Sequence, residues 1–187
     1  METPTHAGRE IRTLGLGEGA PEFHGLLGVD GKRYSLSTFD GKRILVLVFS
    51  SNRCPTAKAY EDRMISIQRE YEAHGVQLVA VNSNNFHFYS EERYPEMVRR
   101  AEEKAFNFPY LQDADQSLAK SYGAVCTLHA FVLDQGRTLR YRGRIDDSRD
   151  PSNVESHDLR NALEDLLADR EVRVPNTVPF GCSLDYL

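Results

Sequence analysis

The chain of 187 residues contains no tryptophan, three methionines and three cysteines, and no long apolar run. Cys54, Cys126 and Cys182 are too few and too scattered for a disulfide-built scaffold, and an odd count leaves at least one thiol unpaired. No stretch approaches the roughly 20 apolar residues of a membrane-spanning helix, so the membrane is not an expected partner. Basic residues are not concentrated: 23 Lys and Arg stand against 28 Asp and Glu, a formal charge of -5. Without a dense basic run, nucleic acid is not an expected partner either. The N-terminus has no apolar signal core, which makes the cytoplasm the expected compartment and residues 1–13 a flexible tail. Cys and His residues lack paired short ligand spacing, so no metal is expected. The glycines at 15–19 precede no strand–helix unit fit for a nucleotide, so no cofactor is expected.

What is present is ordinary globular material, 40% hydrophobic and 27% charged, with chain enough for one sizeable core. A single unit is expected over 14–187. Asp30-Gly31 predicts a small hairpin within residues 28–34. Ile44 to Phe49 has no polar alternation and predicts a strand covered on both faces. Pro55 suits the first position of a helix that carries Tyr60, Met64, Ile67 and Tyr71 on one stripe and stops at Gly75. Val76 to Val81 predicts a second core strand, making a strand–helix–strand unit.

A second helix is expected from about Ser90-Glu91-Glu92, its start delayed by Pro95, with Met97, Val98, Ala101 and Ala105 on its apolar side. Phe108 to Leu111 breaks that pattern. Asp115 is expected to cap a short helix through Leu118 and Tyr122. A hairpin joins strands at 130–133 and 138–142, and Ser156 is expected to cap a last helix bearing Leu159, Leu163, Leu166 and Leu167. Parallel strands first and a hairpin later fit a mixed central sheet with helices on both faces, an α/β fold.

Cys54 lies at the seam between the first core strand and the helix that opens with Pro55. Unpaired N–H groups and the helix dipole favour an anion there, so the thiol tends toward a thiolate, the nucleophile of sulfur redox chemistry. The competing reading is a small buried hydrophobe. Ser51, three residues earlier, reads equally as a turn residue or as a hydroxyl aimed at the sulfur.

This order of elements, with Ser-Asn-Arg-Cys-Pro-Thr at 51–56, Phe-Pro-Tyr-Leu-Gln-Asp at 108–113, Tyr-Gly-Ala-Val-Cys-Thr at 122–127, Tyr-Arg-Gly-Arg-Ile-Asp-Asp at 141–147 and Phe-Gly-Cys-Ser-Leu at 180–184, resembles the thioredoxin fold. Within it the chain resembles the peroxiredoxin-like branch of alkyl hydroperoxide reductases and thiol-specific antioxidant proteins, in a little-characterised subgroup where Ser51 replaces the first cysteine of the active-site motif. The resemblance implies an N-terminal hairpin extension, a reactive Cys54 and a peroxide-holding Ser51. Cys126, on the loop that faces the active-site helix in that fold, is a candidate resolving thiol or a packed core thiol; Cys182, in the proline-flanked tail, is a candidate resolving thiol or a structural one. The family's proline before the hydroxyl is Leu47 here. The family's arginine, or in thioredoxin-like relatives a cis-proline, would fall near Leu128, with Arg53, Arg142 or Arg144 as substitutes.

Three activities compete. In the first, Cys54 reduces a hydroperoxide through a sulfenic acid that another thiol resolves and a cellular thiol reductant clears. In the second, a lone Cys54 exchanges with disulfide substrates. In the third, the fold is a non-enzymatic redox-sensing or binding module. A homodimer is expected from the relatives resembled.

Overall fold

The computed structural model describes residues 13–187, so the tail expected over 1–13 lies, except for Thr13, outside the described residues. Seven strands form one mixed sheet in the order β2-β1-β5-β4-β3-β6-β7. They are β1 (Leu26–Gly28), β2 (Arg33–Tyr34), β3 (Ile44–Ser50), β4 (Val76–Asn82), β5 (Tyr110–Gln112), β6 (Ala130–Leu133) and β7 (Leu139–Gly143). The helices are α1 (Pro55–Tyr71), α2 (Tyr94–Lys104), α3 (Ser117–Tyr122) and α4 (Asp158–Leu167).

At the centre, β3 runs parallel to β4 from Ile44↔Val76 to Ser50↔Asn82 and antiparallel to β6. The unbroken apolar run of β3 is buried along its whole length because both faces are covered. Ile44, Val46 and Val48 face α1, α2 and α4, and meet Tyr60, Met64, Met97, Leu159 and Leu163. Leu45, Leu47 and Phe49 face the other way, onto α3 and the N-terminal segment, where Leu118, Tyr122, Leu14 and Phe23 pack. Side chains that alternate along a strand supply both cores from one segment. The thioredoxin-like architecture, with its mixed sheet, flanking helices and N-terminal hairpin, follows.

Local details depart from the expected ones. β5 occupies Tyr110–Gln112, where the sequence shows only a break after Pro109; three residues are too few for a periodic signal. Asp115 does not cap α3 alone. The buried Asp113 carboxylate accepts from the N–H groups of Leu118 (3.2 Å) and Ala119 (3.0 Å), while Asp115 accepts from Ser117 N–H. At α4 the capping position is His157, and the Ser156 hydroxyl donates to Asp158 instead.

Candidate active site

β3 ends at Ser50, and the chain turns through residues 51–54 into α1. Cys54 is the N-cap of that helix, with extended backbone (φ -63°, ψ 119°), and its sulfur accepts the Ala57 N–H at 3.4 Å. Pro55 at N1 has no N–H to satisfy and holds φ at a helical value. Sequence alone therefore places the sulfur at the helix terminus, where an anion is favoured.

The turn is shaped by hydrogen bonds that a linear reading does not show. The Ser51 hydroxyl oxygen accepts from the N–H groups of Arg53 and Cys54, both at 3.0 Å. Its proton goes to the Glu92 carboxylate in a short contact. Glu92 is 2% exposed and also accepts from Asn52 N–H (2.9 Å), Arg53 N–H (3.2 Å) and the Asn82 amide (2.8 Å). Ser51 is thus engaged in the turn and on Glu92, with its donor already used.

The chain closes over Cys54 from a distance. The segment 125–127 is met by the C-terminal tail: Thr127 N–H donates to Cys182 O (2.9 Å), Leu184 N–H donates to Val125 O (3.3 Å), and Cys126 bridges antiparallel to Ser183. Gly181 permits this approach, since a Cβ there would lie 2.6 Å from Thr127 Oγ1. The result is a disulfide between Cys54 and Cys182, with Cα atoms 6.1 Å apart and a sequence separation of 128.

This pair corrects the expected subgroup with a serine in place of one active-site sulfur. The site does hold two sulfurs; the second comes from the tail rather than from the motif. Spacing within 51–54 cannot reveal it, because strand-like pairing with 125–127 delivers it. Of the two candidate resolving thiols, Cys182 is the one joined to Cys54, and Cys126 is not.

Thr127 binds both halves of the pair. Its hydroxyl accepts Cys182 N–H at 3.0 Å and lies 3.2 Å from Cys54 Sγ, so its proton is directed at that sulfur. The next residue, Leu128, holds a left-handed backbone (φ 65°) that an L side chain other than Asn or Asp seldom adopts. Its N–H donates to Phe49 O at 2.6 Å, tying the loop to the end of β3.

Exposure divides the sulfurs unequally. Cys54 is 4% exposed, less open than expected for a reactive thiol, whereas Cys182 is exposed. Both border a cavity of about 360 Å³ that also takes in Arg53, Asn84, Tyr89 and Asp185. Cys126 carries a free, buried thiol, and burial pushes its pKa up to about 11. Of the candidate cations, Arg53 stays at the cavity with its guanidinium over the Tyr89 ring. Arg142 donates to Leu14 O, and Arg144 pairs with Asp158 at 2.7 Å.

Thr127, Glu92 and Gly181 were not singled out by the sequence. A threonine before the core strand and a glycine before the tail cysteine are weak local marks. Nothing local marks Glu92, whose exposed-looking acidic run reads as a helix start.

Residues 16–163 match the model of the Redoxin family. An uncharacterized conserved protein from Geobacillus kaustophilus is 34% identical, with TM-score 0.87 and 94% of each chain covered. The peroxidoxin BcpB from Mycobacterium tuberculosis shares 20% identity at TM-score 0.65, covering 84% of this chain and 99% of that one. A putative thiol:disulfide interchange protein DsbE from Chlorobium tepidum shares 21% at TM-score 0.64, covering 84% and 98%. The last two show likeness of fold. No curated protein matches the chain.

Proposed function

The chain belongs to the redoxin family of thiol-dependent, thioredoxin-fold redox proteins, and from that premise we propose that it is a dithiol–disulfide oxidoreductase working through Cys54 and Cys182. The observation that carries this reading is the disulfide between a helix N-cap sulfur and an exposed tail sulfur at the rim of a cavity. In the oxidised protein the pair accepts two electrons from a dithiol or two monothiols. In the reduced protein it gives them to a substrate disulfide. Both sulfurs stay on the chain throughout, as a disulfide in the oxidised state and as two thiols in the reduced one. In a reducing cytoplasm the pair would rest as thiols and close only in turnover.

Hydroperoxide reduction is the second reading, favoured by the cavity that reaches Cys54 and Arg53. A peroxide would leave Cys54 as a sulfenic acid, and Cys182 would condense with it, expelling water and closing the same disulfide. Against it stand the Ser51 proton committed to Glu92 and the leucine at position 128.

The test is kinetic. Reduced protein is mixed separately with hydrogen peroxide and with glutathione disulfide, and closure of the Cys54–Cys182 disulfide is followed by intact mass after acid quench. Exchange predicts faster closure by the disulfide at equal concentration. Faster closure by peroxide overturns it in favour of the peroxidase. A pair that neither oxidant closes removes both.

A further inference from the structure

We infer that Cys182, the tail sulfur, is the one that exchanges with the partner molecule, and that Cys54 serves as the leaving and resolving thiolate. The inference rests on the exchange reading above and goes beyond it by assigning the order of the sulfurs. Motif position suggests the reverse order, because Cys54 is the residue at the helix terminus.

Two independent observations carry the assignment. The first is access: an incoming thiolate must approach its target sulfur from outside, and Cys182 is exposed while Cys54 is 4% exposed. The second is the leaving group. Exchange is fastest when the sulfur expelled is the better-stabilised thiolate. Cys54 Sγ receives the Ala57 N–H at the start of α1 and lies 3.2 Å from the Thr127 hydroxyl. Both donors are in place before the bond breaks, so negative charge that develops on Cys54 is met without rearrangement.

The tail is also held in position independently of the disulfide. Thr127 binds Cys182 through both main-chain groups, Gln116 donates to Asp185 O and accepts Leu187 N–H, each at 2.9 Å, and the Tyr186 hydroxyl reaches Ala124 O. Cys182 is therefore presented at the same rim with the bond open.

A thiolate RS⁻ attacks Cys182 Sγ; the Cys54–Cys182 bond breaks, a mixed disulfide forms on Cys182, and Cys54 leaves as thiolate. A second RS⁻ attacks the R sulfur, releasing RSSR and the Cys182 thiolate. Two electrons pass from two thiols to the protein. In the opposite direction Cys182 thiolate attacks a substrate disulfide and expels one thiolate. Cys54 thiolate then attacks Cys182 Sγ, reforms the internal disulfide and expels the other.

The experiment starts from the wild-type disulfide form. It is treated with limiting reduced glutathione near neutral pH, quenched with iodoacetamide, and mapped by peptide mass. Glutathione on Cys182 with carbamidomethyl on Cys54 is the expected pattern; glutathione on Cys54 with alkylated Cys182 overturns the assignment. Glutathione that opens no disulfide at any concentration overturns the exchange reading itself, a result distinct from the reversed pattern. Single variants give a second readout. Reduced Cys54→Ser protein should form an adduct with glutathione disulfide about tenfold or more faster than reduced Cys182→Ser protein, because only the former keeps the open sulfur. Equal rates, or a faster Cys182→Ser protein, would contradict the assignment.

Discussion

Thr127 is the residue on which both sulfurs depend. Its hydroxyl accepts from Cys182 N–H and is aimed at Cys54 Sγ. Replacing it by valine keeps the shape and deletes the donor. A charge-assisted bond to a thiolate is worth enough to move its pKa by about one unit. Thr127→Val should therefore shift the pH profile of Cys54 alkylation in the reduced protein upward by about that much; an unchanged profile removes Thr127 from thiolate stabilisation. His129, two residues on, titrates against folding. Burial, with the Arg142 charge adding to it, lowers its pKa from 6.5 to about 4, and its Nδ1 accepts Val125 N–H at 3.3 Å. Between those two values the unfolded chain binds more protons than the folded one, so stability falls as pH drops through that window. The loss is on the order of 3 kcal/mol at its full extent and is absent above the unfolded value. Urea midpoints taken near pH 7 and near pH 4.5 should diverge in the wild type, and His129→Gln should narrow the gap.

Among the elements, the segment after β4 carries most of the active-site turn's support. Its 3-10 turn, Ser90–Glu92, places one buried carboxylate where Ser51, Asn52, Arg53 and Asn82 all donate. A glutamine there turns an NH₂ donor toward groups that are themselves donors. Glu92→Gln should destabilise the fold by about 2–3 kcal/mol, since charged-acceptor bonds are lost and buried donors are left unmet. Chemical denaturation measures that loss, and cleavage by a protease within 83–93 should accelerate with it. A variant as stable as the wild type would show that the turn does not need the carboxylate.

For the molecule as a whole, the disulfide links the start of α1 to the tail across 128 residues of chain. Closing a loop of that length restricts the unfolded ensemble by up to about 5 kcal/mol in the chain-entropy account. The oxidised form should unfold at higher urea than the form held in excess dithiothreitol, followed by far-ultraviolet circular dichroism since the chain has no tryptophan. A midpoint that does not move on reduction would mean that tail docking, not the covalent link, fixes the C-terminus. No helix among the described residues is long and apolar enough to cross a membrane.

The sequence by itself determined the central strands, the amphipathic α1 and the position of Cys54 at its N-terminus. Those depend on alternation, periodicity and a proline, all of which act within a few residues. Tertiary structure alone decided that β5 exists, that Asp113 rather than Asp115 satisfies the buried end of α3, and that Glu92 holds a turn 41 residues before it. It also decided that Cys182 stands on Cys54 while Cys126 stays unpaired in the interior. These partners meet because the sheet order and the returning tail bring distant segments within bonding distance, and no local pattern encodes which distant segment arrives.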